Sequence, residues 1–90
     1  MEITNTTSFL WNTPFGLSVG ITGHAGQTTS IEYYHGSDTQ DRADDLNWTL
    51  IEGTEATSTF QELIEAPGKE LRVKVENPST TLIVNLERKS

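Results

Sequence analysis

ELRVKVENPSTTLIVNLE, residues 70–87, decides how the chain is read. In Glu70–Glu76, Leu71, Val73 and Val75 fall on one face, and Arg72, Lys74 and Glu76 on the other. A period of two with one apolar face marks a half-buried antiparallel strand. Residues 81–87 repeat the pattern with Leu82, Val84 and Leu86 inward and Ile83, Asn85 and Glu87 outward. Between them Pro78 fixes φ and donates no backbone hydrogen bond, so Asn77-Pro78-Ser79-Thr80 reads as a turn and the whole as a β-hairpin.

Working outward, Leu17, Val19 and Ile21 alternate with Ser18, Gly20 and Thr22, and Gly23-His24-Ala25-Gly26 reads as the turn of a second hairpin. Its other strand, Thr28–His35, places Ile31 and Tyr33 opposite Glu32 and Tyr34. Leu46, Trp48 and Leu50 form a further inward row, with the Trp48 indole N–H expected to reach a backbone carbonyl. In Ser58–Ile64, Phe60 and Leu63 differ in parity, which predicts a bulge near Gln61 and Glu62. Ile3–Trp11 reads as extended, with Phe9 and Trp11 on one face, broken at Asn12-Thr13-Pro14.

About seven short strands separated by turn signals predict an all-β fold, an antiparallel β-sandwich over residues 13–90. Residues 1–12 are expected to form an extended arm that pairs with a neighbouring subunit. Ninety residues make one domain, and a chain of this size hides only about 60–65% of its unfolded surface. With no cysteine there is no disulfide to staple so thin a core, which leaves oligomerisation or docking on a larger body.

The net charge of −7 is unevenly spread. Residues 30–66 hold nine acids and one base, Arg42; residues 67–90 hold three acids and five bases, Lys69, Arg72, Lys74, Arg88 and Lys89. An acidic surface disfavours nucleic acid, and the polarity suits a second copy or another protein. There is no basic leader followed by an apolar run, and no stretch that would span a membrane, so the expected setting is the cytoplasm or a particle assembled there.

YYHGSDTQDRADDLNW, residues 33–48, concentrates acid into Asp38, Asp41, Asp44 and Asp45. The spacing fits neither an EF-hand nor an RTX loop; a solvated connection is the expectation and a non-standard ion site the alternative, with Asp44 suited to cap a short helical turn. His24 and His35 lack a second ligand at metal spacing, and Glu62 with Glu65 is a carboxylate pair on a domain too small for a deep cleft. No nucleophile motif or phosphate loop is present, so no enzymatic activity and no cofactor are expected. Asn5-Thr6-Thr7 and Asn47-Trp48-Thr49 match the glycosylation pattern by chance if the chain is not secreted. Tyr33 and Tyr34 must face opposite sides of one strand, so at least one points outward.

Four features resemble the small β-domain proteins of bacteriophage virions: the Thr-rich stretch ending in Tyr33-Tyr34, the Asp-rich loop before Asn47-Trp48-Thr49, the turn into Phe60-Gln61-Glu62, and PGKELRVKV at residues 67–75. The resemblance implies a non-enzymatic virion protein, a capsid decoration or cement subunit whose partners are the major capsid protein or other virion proteins, itself a homo-oligomer. Tail, neck or fibre placement, or a carbohydrate-binding adhesin using Trp11, Tyr34 and the Asp-rich loop, are the alternatives. The partner-binding candidates are Phe9, Trp11, Phe15, Tyr34, Asp41, Asp44, Arg72 and Lys74.

Overall fold

The computed structural model describes residues 1–10, 16–65 and 70–88. Eight strands form among them: β1 Glu2–Ile3, β2 Thr7–Leu10, β3 Leu17–Thr22, β4 Thr28–Tyr34, β5 Trp48–Leu50, β6 Phe60–Ile64, β7 Glu70–Glu76 and β8 Leu82–Arg88. They build two four-stranded antiparallel sheets, sheet I in the order β1-β8-β3-β6 and sheet II in the order β2-β7-β4-β5. The expected antiparallel β-sandwich is therefore the architecture, with one strand more than foreseen because Ile3–Trp11 divides into β1 and β2.

The pairing has a simple rule. β1 joins β8, β2 joins β7, β3 joins β6 and β4 joins β5, all antiparallel. The chain is thus one long ribbon doubled back at the β4–β5 connection, and the β3–β8 and β4–β7 ladders close it on itself. Such a wound ribbon is an eight-stranded jelly roll, one of the double-sheet solutions to the exposed-edge problem.

Both expected hairpins are corrected by this winding. β3 lies in sheet I and β4 in sheet II; β7 lies in sheet II and β8 in sheet I. Residues 23–27 and 77–81 are arches that carry the chain across the core. Alternation reports which face of a strand is buried, and a strand that meets its successor across the core alternates just as one that pairs with it does.

The two arches are stitched together. Fully buried Gln27 donates from Nε2 to the His24 carbonyl at 3.0 Å and to Thr80 Oγ1 at 3.1 Å, while its Oε1 accepts from the Ser79 N–H at 3.1 Å. Gly23 has a φ of 90°, and a Cβ there would stand 3.1 Å from the Thr81 carbonyl, so the close approach of the arches depends on glycine. Ala25 and Asn77 also take left-handed backbone, at φ 45° and 56°. His24 is buried with Nε2 2.9 Å from Thr29 Oγ1, and its Nδ1 has no partner.

Leu17, Val19 and Ile21 of β3 and Leu82 and Val84 of β8 pack in one cluster with Ile31 of β4 and Leu71, Val73 and Val75 of β7. Each such side chain contributes roughly 1.5–3 kcal/mol by leaving water. The β3–β6 register runs unbroken from Leu17↔Ile64 to Ile21↔Phe60, so the bulge expected near Gln61 and Glu62 is absent. Phe60 and Ile64 take the inward positions and Leu63 points out, 58% exposed.

Residues 1–10 differ from the expected arm. Ile3 is buried in the core cluster, Phe9 packs against it, and the backbone ladders of β1 and β2 go to β8 and β7 of the same chain. Residues 11 and 12 lie outside the described residues.

Candidate functional site

The outward face of sheet II carries the charge. The β4–β7 register sets Glu32 opposite Arg72, and β5 adds Trp48 beside Tyr34 on that same face. Trp48 and Leu50 are therefore not on an inward row. Trp48 is buried, 6% exposed, because the Asp-rich connection of residues 35–47 folds over it; Leu50, beyond that cover, is exposed. Its indole N–H does donate to a backbone carbonyl, that of Arg42, at 2.8 Å.

The connection is shaped by local side-chain hydrogen bonds. Asp41 Oδ1 accepts from the Ala43 N–H at 2.8 Å. Asp44 Oδ1 accepts from the Leu46 N–H at 3.0 Å and caps the 3-10 turn Asp45–Asn47, as anticipated. Tyr34 Oη donates to the Ser37 carbonyl at 2.7 Å, and Gln40 Oε1 accepts from the Ser37 N–H at 2.6 Å. A Cβ on Gly36 would fall 2.5 Å from Tyr34 Oη and 2.8 Å from Gln40 Oε1, so any larger residue there would have to displace these two side chains.

Charge then fastens the connection to the sheet. The Arg42 guanidinium lies 4.1 Å from the centre of the Tyr34 ring, donates to Glu70 at 3.2 and 3.3 Å, and reaches the Asp38 carbonyl at 3.1 Å. Arg72, buried to 5% exposure, stacks 4.6 Å from the Trp48 ring and sits between two carboxylates, Glu32 at 2.6 Å and Asp45 at 2.8 Å. Lys74 approaches Asp45 at 3.7 Å. The hydrogen bond from Arg72, supported by the Lys74 charge, holds the Asp45 carboxyl below its ordinary range. Beside these groups lies a groove of about 430 Å³ lined by Thr6, Ser8, Arg42, Asp45, Trp48, Arg72 and Lys74.

Of the sequence candidates, Tyr34, Arg72 and Lys74 meet at this site, with Asp41 and Asp44 in the connection above it. Phe9 does not; it packs against the core. Trp11 and Phe15 lie outside the described residues, as do Lys69 and Lys89. Within the acidic stretch, Asp45 meets Arg72 and Lys74 of its own chain. Glu32, Arg42 and Glu70 were not among the candidates, Asp45 was named only as part of the acidic stretch, and Trp48 was read as core. The opposed charges on outward strand positions were a signal for the first, but the others needed the path of the connection.

Tyr34 offers no open ring for stacking, since Arg42 covers it and Trp48 meets it edge-on at 5.2 Å. Among the described residues no group of three or more His, Cys, Asp or Glu is placed to hold a metal ion. No helix among them is long and apolar enough to cross a membrane. The chain matches no protein-family model, no curated protein and no solved structure.

Proposed function

We propose that this is a non-enzymatic virion structural protein, a capsid decoration subunit, that docks through the outer face of sheet I. The observation that carries the docking is the chemistry of that face. Its central strand presents Ser18, Gly20 and Thr22, small residues that allow close approach, flanked by exposed Ile83 beside Thr22 and exposed Leu63 beside Ser18. The charged strand positions on it are Glu2 and Glu87, opposite Ile83 on β1 and Ser18 on β3. Interface centres are depleted in charge in this manner, whereas the outer face of sheet II carries the ionic network, with Leu10 and Leu50 exposed at its margins. Placement on a capsid is supported by the resemblance to phage β-domain proteins. The proposed contact is aliphatic; of the aromatic candidates Phe9 packs against the core and Arg42 covers Tyr34, while Trp11 and Phe15 lie outside the described residues.

Co-sedimentation with capsids stripped of accessory proteins tests this. The wild-type chain is expected to bind at saturating, symmetric stoichiometry, and Leu63→Glu with Ile83→Glu to lose binding while keeping its melting temperature. Equal binding by that double variant rejects the face; no binding by the wild type rejects the capsid.

A further inference from the structure

The Arg72 cluster holds more carboxylate than its buried cation needs. Glu32, with a side chain only 12% exposed, already neutralises Arg72 at 2.6 Å. The second carboxylate, Asp45, is 64% exposed and enters from the connection, not from the sheet. Removing Asp45 would leave Arg72 paired with Glu32 and would free the ammonium of Lys74, which Asp45 engages only at 3.7 Å. The seat is preformed: the guanidinium is fixed in plane by Glu32 on one side and by the Trp48 ring beneath it. The groove continues past Asp45 to Thr6, Ser8 and Arg42, so Asp45 fills one part of it only.

We propose that this groove is a binding site for an acidic peptide segment of a partner protein, whose carboxylate takes the seat on Arg72 and Lys74 that Asp45 occupies in the free chain. Exchange of one exposed carboxylate for another leaves no buried charge unpaired, so it escapes the penalty that breaking the Arg72–Glu32 pair would carry. Arginine and lysine side by side suit a carboxylate. An extended acidic peptide fits better than a uronic-acid glycan, because the Trp48 ring is buried beneath Arg72 and the Tyr34 ring lies under Arg42, leaving neither free for a sugar. The site lies on sheet II and stands independently of the capsid assignment, which rests on sheet I.

The test is titration of the isotope-labelled chain with hexaglutamate at low salt, read by nuclear magnetic resonance at the Trp48 indole N–H and the Lys74 amide. Because the chain carries a net charge of −7, a non-specific acidic peptide is repelled, and saturable shifts at these two positions mark the groove. Asp45→Asn is expected to tighten binding by up to about fivefold, the worth of an exposed ion pair. Lys74→Gln is expected to abolish the shifts while its spectrum stays dispersed. Unmoved resonances in Asp45→Asn, or undiminished binding in Lys74→Gln, overturn the proposal. Oligogalacturonate binding where hexaglutamate does not would assign the groove to a glycan instead and overturn it as well.

Discussion

The two ends of β4 are closed by opposite means. At Thr28 the chain leaves through the arch of residues 23–27, which is tied to the arch of residues 77–81 by a neutral, buried glutamine. At Tyr34 it enters the connection of residues 35–47, which is tied down by guanidinium, carboxylate and ammonium groups, several of them in water. Neutral hydrogen bonds away from water are insensitive to salt, while exposed ion pairs are screened by it. One end is a permanent clasp, and the other is adjustable by solution conditions.

Breaking the charged end at its buried member gives the largest effect. Arg72→Ala leaves the largely enclosed Glu32 carboxylate without its cation and is expected to cost about 3 kcal/mol in urea unfolding. Arg72→Met combined with Glu32→Leu should recover most of that loss, since no charge is then stranded. At the neutral end, Gln27→Ala deprives the Ser79 N–H and Thr80 hydroxyl of their partner and should cost about 2–3 kcal/mol, equally in low and high salt. Asp45→Asn should cost no more than about 1 kcal/mol, and that loss should vanish in molar salt.

Acid separates the ends further. Burial lowers the pKa of His24 from its usual 6.5, so the unfolded chain takes up that proton first. Stability from this group is complete above 6.5 and falls as the pH drops from there towards the lowered folded value. Asp45 is held below its ordinary 3.8, so its contribution persists above that value and is lost only as the pH falls through the folded one. Thermal melts between pH 7 and 5 should therefore register the loss at His24, and His24→Gln should reduce it. The smallest change sharpens the same end: Ala25→Gly relieves a residue at φ 45° and should raise stability by up to about 1 kcal/mol in calorimetry.

The sandwich was legible because alternation in Leu17–Thr22, Glu70–Glu76 and Leu82–Leu86 separates inward from outward residues with few exceptions. The partners of those strands were not, because neither Gly23–Gly26 nor Asn77–Thr80 states whether the next strand stays in its sheet. Trp48 shows a second limit. An apolar row beside a long polar connection was assigned to the core, although the connection itself supplies the burial. The capping role of Asp44 was visible because it needs only near neighbours. The Arg72–Glu32–Asp45 cluster was hidden because its members stand far apart in the chain: register brings Glu32 to Arg72, and the path of the connection brings Asp45.

The ladder between β1 and β8 has a consequence for the order of events in folding. The Met1 amino group donates to the Val84 carbonyl at 2.8 Å and the Val84 N–H returns a bond to the Met1 carbonyl at 2.7 Å, across a separation of 83 residues. Among the described strands only β4 and β5 are both adjacent in sequence and joined in one sheet, so every other described ladder waits on the closure of a longer loop. High contact order of this kind slows the search. During synthesis β1 stays without its strand partner until β8 has left the ribosome.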